Sequence, residues 1–138
     1  TGTIRTFSPR VQASMKERIE RLAGQIAAAY RCKAEVRYVE LTPVLVNDDR
    51  CVDHVIQTVE SLIGADQRVE AAPTLAGEDF SLYLQKVPGC FFWLGSGPEI
   101  GAEQAYGLHH PKFRIEESCL PLGASVLAAV AYNRLAAR

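Results

Sequence analysis

The chain has 138 residues, enough for one ordinary domain or two small ones, and at 48% hydrophobic and 22% charged it can build a core. Fifteen basic against sixteen acidic residues leave a formal charge of −1, which excludes the electrostatic footprint of a nucleic-acid binder and a polybasic patch for anionic lipid. No apolar run approaches the roughly 18 to 20 residues of a membrane span, since the quiet stretch Leu120 to Ala131 is interrupted by Pro121, Gly123 and Ser125.

In chain order, Thr3 to Phe7 is short, β-branched and aromatic, the composition of a strand. The chain opens on it without an initiator Met or signal peptide, so the expectation is that something precedes it. Ser8-Pro9 reads as an N-cap followed by proline at the first helical position. Val11, Met15, Ile19, Leu22, Ile26 and Ala29 then recur at helical spacing, opposite Lys16, Glu17, Arg18, Glu20 and Arg21. Alternation of Ala34, Val36 and Tyr38 with Glu35 and Arg37 predicts a half-buried strand to about Leu41. The first 42 residues thus read as a β-α-β unit.

Asn47 or Asp48 can cap a second helix, with Val52, Val55, Ile56, Val59, Leu62 and Ile63 as its stripe and Gly64 as its stop. Gln67 to Ala72 is expected as a short strand, and Ala76 to Asp79 as a loop entering a short helix that bears Phe80, Leu84 and Val87. Cys90 to Leu94 is apolar on both faces, as a central strand of a covered α/β sheet would be. Pro98 to Lys112 is a long loop, and Glu116 to Ala137 a closing helix. The scattered cysteines Cys32, Cys51, Cys90 and Cys119 lack any tight spacing and are expected as reduced thiols of a cytoplasmic protein.

Three segments can carry chemistry. Leu108 to Phe113 holds two of the three histidines, His109 and His110, and imidazole is the commonest metal ligand. In a strand-like stretch adjacent rings point opposite ways, so one of the two would reach a given metal. A surface His pair is the alternative. Glu78 and Asp79 either stabilise the start of a short helix or orient a ligating His or a substrate group. Gly95-Ser96-Gly97 follows the apolar strand, where α/β folds place ligand loops, but it lacks the pattern of a phosphate or dinucleotide loop. Arg5 is either solvated or an anion receptor. His54 lies beside the stripe of the second helix and reads as structural.

Taken together, Gly2 to Phe7, Pro43 to Asp48, Gly77 to Phe80, Val87 to Gly97 and Leu108 to Phe113 occur in the order found in the C-terminal part of zinc-type amidohydrolases and aminoacylases. The chain resembles that family, which includes hippurate hydrolase and auxin-conjugate hydrolases, over essentially its whole length; Ala76 departs from the glycine common there. The resemblance implies an α/β fold in two parts. Residues 1–43 would be the last β-α-β of a ferredoxin-like lid or dimerisation domain, and residues 44–138 the end of a zinc-peptidase-like catalytic domain. It implies that His109 is a metal ligand and that Arg5, Gly95, Ser96 and Gly97 bind substrate, with Glu78 and Asp79 supporting the site. The cofactor implied is a divalent metal (Zn, Mn, Co or Ni) in the intact enzyme, and none need be bound by this chain alone.

The family's other ligands, its metal-bridging acid and its general-base glutamate have no counterpart here, so no catalytic residue is assigned and a fragment with little or no turnover of its own is expected. The reaction implied is cleavage of the amide bond of N-acyl amino acids such as hippurate. The alternative is a non-catalytic module that dimerises or binds small carboxylates. The expected partners are a small N-acyl amino acid and a second copy of the chain, with neither nucleic acid nor membrane.

Overall fold

Ser8 marks the first change of backbone geometry. It is extended at φ −114° and ψ 118°, its Oγ accepts the Val11 N–H at 3.3 Å, and Pro9 follows at the start of the helix. The hydroxyl thus satisfies one of the N–H groups that a helix start leaves unpaired. In the computed structural model, which describes residues 1–97 and 106–136, helix α1 spans Pro9–Ala29. Its expected stripe exists, but no residue of α1 is buried: Leu22 is 49% and Ile26 60% exposed.

Helix α2 spans Asp49–Ile63 and buries Val55 and Thr58. Gly64 ends it as expected, with φ 94° and its N–H donated back to the Glu60 carbonyl. A 3-10 turn over Ala65–Gln67 follows. Helix α3, Phe80–Leu84, is one short turn. Helix α4, Cys119–Ala136, begins three residues later than expected. Glu116 and Glu117 lie in the turn before it, where their carbonyls accept the N–H groups of Cys119 and Leu120; position 137, the expected end, lies outside the described residues.

The α/β architecture is not what the described residues form. The described residues contain four α-helices and one 3-10 turn and no strand. The β-α-β lid unit expected over residues 1–43 and the strands expected at Gln67 to Ala72 and Cys90 to Leu94 are absent with it. The reason is physical. β-branched and aromatic residues state which backbone a segment tolerates, whereas a strand exists only through hydrogen bonds to a neighbouring strand. Segments 3–7, 34–41, 67–72 and 90–94 have the composition without that ladder.

Two compact units result, Thr1–Asp48 with Ala72–Gly89, and Asp49–Ala71 with Cys90–Arg138. The first unit therefore extends past residue 43 and takes in the α3 segment. Inside it, the Gln12 side-chain amide donates to the Thr42 carbonyl at 2.9 Å, and the Asp48 N–H donates to the Gly89 carbonyl at 3.0 Å. In the second unit α2 and α4 pack on each other. Val126 of α4 is 3% exposed, His54 Nε2 of α2 lies 3.0 Å from the Val130 carbonyl, and the Asn133 amide donates to the buried Thr58 hydroxyl at 3.3 Å. His54 is structural, as read from sequence.

Helix α4 corrects one exclusion. Pro121, Gly123 and Ser125 do not interrupt it, and its 18 residues, with a mean hydropathy of 1.3, are long and apolar enough to cross a membrane by length and composition. Proline is tolerated in the first turn, where its missing N–H costs no helical bond. The contacts of Val130 and Asn133 with α2, together with the burial of Val126, give the helix a packing role within its own unit.

Candidate functional site

The residues singled out from sequence fall into both units. In the first unit, Arg5, Gln12, Thr42, Gly77 and Glu78 line a cavity of about 290 Å³. Arg5 reaches it from a non-helical segment, and its Nη1 donates to the Leu75 carbonyl at 2.6 Å. One of five guanidinium N–H donors is committed there, so the group keeps capacity for an anion. Gly77 lies under the same side chain: a Cβ at that position would sit 3.7 Å from Arg5 Nη1 and 3.6 Å from Thr42 Oγ1. Glu40 and Arg37 also line the cavity, so its charge is mixed.

Glu78 and Asp79 precede α3 and do not occupy its first turn. Glu78 Oε1 accepts the Phe80 N–H at 3.1 Å, and the Glu78 carbonyl accepts from the Ser81 hydroxyl, whose residue is buried. Asp79 sits at the N-cap in helical geometry without a side-chain capping bond and is exposed. Glu78 thus performs a capping task, and Asp79 keeps its carboxylate uncommitted to the helix.

In the second unit, Gly95 and Gly97 are exposed, and no atom would meet a Cβ placed on either. The Ser96 carbonyl accepts the Glu116 N–H at 2.8 Å, which ties the two ends of the intervening loop together. The part of the expected long loop over residues 98–105 lies outside the described residues.

His109 and His110 do not lie in a strand-like stretch. The His110 N–H donates to the Gly107 carbonyl at 3.2 Å and closes one four-residue turn, and the Phe113 N–H donates to the His110 carbonyl at 2.9 Å and closes the next. His109 takes φ 69° at the third position of the first turn, the position at which a type II turn is left-handed. Pro111 takes the second position of the following turn, which its ring favours. His110 Nδ1 accepts the Lys112 N–H at 3.1 Å, and its ring stacks on Tyr106 with centroids 4.2 Å apart. Lys112 Nζ stands 5.7 Å above the Tyr106 ring. Both histidines are exposed.

Sequence reading missed Tyr106, Lys112 and the Leu75 carbonyl. Gly107 and Pro111 at this spacing could have signalled the paired turns, whereas the stack of Tyr106 on His110 has no sequence signature. Among the described residues no three His, Cys, Asp or Glu side chains gather to hold a metal ion. The described donors therefore do not make a complete metal centre.

The cysteines form no disulfide. Burial, with the neighbouring Cys51 adding to it, pushes the Cys90 thiol above its ordinary value of 9.0, as expected of a packing residue and not of a nucleophile.

Comparisons with known proteins bear on this arrangement. YhaA of Bacillus subtilis (strain 168), assigned to the amidohydrolases, is 35% identical over 136 residues, which is 97% of this chain and 34% of that protein. The N-acetyldiaminopimelate deacetylase of Geobacillus sp. (strain WCH70) is 36% identical over 126 residues, covering 91% of this chain and 32% of the enzyme. Among solved structures, YXEP of Bacillus subtilis, a dinuclear metal-binding peptidase of the M20 family, superposes with a TM-score of 0.76 at 31% identity, over 91% of this chain and 33% of that one. The chain thus spans about a third of the length of the relatives it matches. The model of peptidase family M20/M25/M40 matches residues 3–133, nearly the whole chain. By that match, the chain belongs to peptidase family M20/M25/M40.

Proposed function

We propose that this chain contributes part of the active site of a metal-dependent hydrolase that cleaves the amide bond of N-acyl amino acids, and that it has little or no turnover by itself. The observation that carries this reading is the match over 91% of the chain to a relative named as a deacetylase of an N-acetylated amino acid. Within the reading, His109 is a ligand to a divalent metal and Arg5 meets the substrate carboxylate at the cavity it lines, with Gly77 beside it. Glu78, which lines that cavity, and the following Asp79 support the site, and Gly95, Ser96 and Gly97 form a substrate-facing turn. The deacetylase relative favours a short acyl group, and a benzoyl group as in hippurate is the larger alternative.

A chimera tests it. This chain replaces the matching third of the Geobacillus deacetylase, and hydrolysis of N-acetyl and N-benzoyl amino acids is measured with added Mn²⁺ or Zn²⁺. We expect turnover by the chimera, loss of about 100-fold or more in His109→Ala, as for removal of a group acting at the reacting centre, and a raised KM in Arg5→Ala. A chimera whose turnover is unchanged by His109→Ala defeats the assignment. Turnover by the isolated chain above its His109→Ala control defeats the expectation of inactivity.

Self-association is a second reading, favoured by one observation. Many large apolar side chains are exposed in both units, including Leu22, Ile26 and Leu41 in one and Leu127, Tyr132 and Leu135 in the other. A second copy of the chain would cover such surface, with or without catalysis.

A further inference from the structure

Two adjacent histidines share the loop over residues 107–113, and the structure gives them different work. His110 is tied by every polar group that the turn can use. Its N–H donates to the Gly107 carbonyl at 3.2 Å, its carbonyl accepts the Phe113 N–H at 2.9 Å, and its Nδ1 accepts the Lys112 N–H at 3.1 Å. Its ring is stacked on Tyr106 at 13° between planes. An acceptor at Nδ1 places the ring proton of the neutral imidazole on Nε2. His109 takes the opposite part. Its backbone is held at φ 69°, in the left-handed region that a residue with a Cβ seldom enters unaided, and its exposed ring takes no part in the turn.

We propose that His110 is a positioning residue: by accepting the Lys112 N–H and stacking on Tyr106, it locks the double turn that holds His109 in left-handed backbone and presents the His109 ring. The inference rests on the reading of His109 as a metal ligand for its purpose, and on the turn geometry alone for its content. The link is mechanical. The two turns share residue 110, so the hydrogen bond from Lys112 to the His110 ring fixes the second turn against the residue that closes the first. A side chain that accepts the N–H two residues on is the device by which Asn, Asp and Ser stabilise turns, and here an imidazole Nδ1 performs it. Asparagine places its Oδ1 where the imidazole carries Nδ1, so His110→Asn keeps the acceptor and loses most of the stacking surface, whereas His110→Ala loses both.

The experiment is NMR spectroscopy of the full chain as wild type, His110→Ala, His110→Asn and His109→Ala, with Zn²⁺ additions to each. The amide signals of α2 and α4 show whether each variant keeps its fold. We expect His110→Ala to raise the exchange rate of the Lys112 amide at least about tenfold, as follows from losing a hydrogen bond of ordinary strength, and to move the His109 Cα and Cβ shifts out of the left-handed range. His110→Asn restores both. Unchanged Lys112 exchange and unchanged His109 shifts in His110→Ala overturn the proposal, with no metal needed to decide it. In the Zn²⁺ series, the concentration that half-shifts the His109 ring rises about tenfold in His110→Ala, the lower end of what orienting partners of metal ligands contribute, and recovers in His110→Asn. If Zn²⁺ leaves the His109 ring unmoved in wild type, the metal reading of His109 fails, while the exchange and shift data still decide the role of His110.

Discussion

At the scale of single residues, the energetics of the 107–113 loop depend on whether its bonds outweigh its strain. A left-handed backbone at a residue with a Cβ costs roughly 1–2 kcal/mol, and His109 adopts one. The two turn-closing hydrogen bonds and the Lys112 N–H to His110 Nδ1 bond each return about 0.5–1.5 kcal/mol net. Three such bonds suffice to hold one strained residue, and losing one brings the balance close to zero, which is why the loop is sensitive at His110. Cys90 is the other residue whose environment makes a definite claim. Its thiol is raised above 9.0, by burial first and by Cys51 second. A raised acid binds its proton more tightly in the folded chain. The stability this contributes is therefore present at neutral pH and is lost as pH climbs from the unfolded value through the higher folded one. Because the thiolate is the nucleophile, alkylation of Cys90 by iodoacetamide at pH 8 should be slower than that of the exposed Cys32. Mass spectrometry of a time course, with peptides for both cysteines, checks this. Equal rates at the two sites would mean that Cys90 is neither buried nor raised.

At the scale of elements, helix ends are set by single residues, and Gly64 is the clearest case. Its φ of 94° is open to glycine, and a Cβ there would meet Asp66 Oδ1 at 2.6 Å. The Asp66 carboxylate is the far end of an exposed side chain and can swing aside, so the lasting cost is backbone strain. Gly64→Ala should lower stability by about 1–2 kcal/mol, read as a shifted denaturation midpoint with an unchanged slope; no shift would show that the turn after α2 has another conformation in solution. The signals that end and begin helices are local, so they were legible in sequence. Ser8-Pro9 starts α1, the Val52 to Ile63 stripe defines α2, and Gly64 stops it. The segments 34–41 and 90–94 failed because alternation and β-branching speak of one segment, whereas a ladder belongs to two. The same limit explains the site. Gly107 and Pro111 announce turns by their own chemistry, but nothing in the spelling of Tyr106 says that it stacks on His110, and nothing in Arg5 says that Leu75 will receive its N–H.

At the scale of the whole molecule, surface area decides what kind of object the chain is. A self-contained monomer of 15.1 kDa exposes about 7,100 Å² by the usual scaling of area with mass. This chain exposes 11746 Å². Its buried apolar residues are few, Val55, Cys119 and Val126 among those described, while α1 keeps a helical stripe with no buried member. A sequence with enough apolar residues for a core thus leaves many of them exposed, and the relatives that it matches are about three times as long. An unfolded chain of this mass exposes about 22,000 Å², so unfolding uncovers about two-thirds of the area that an ordinary domain of this size would uncover. The denaturant slope scales with that area. If the chain stays monomeric, its urea slope should therefore be about two-thirds of that of a compact 138-residue domain. If instead the uncovered faces find a second copy, light scattering at tens of micromolar gives a mass above 15.1 kDa, the slope rises toward the compact value, and the midpoint moves with protein concentration. The two measurements together separate the cases. A monomeric mass with a full-sized slope contradicts the exposed surface itself, because an uncovered α1 stripe cannot coexist with the burial such a slope requires.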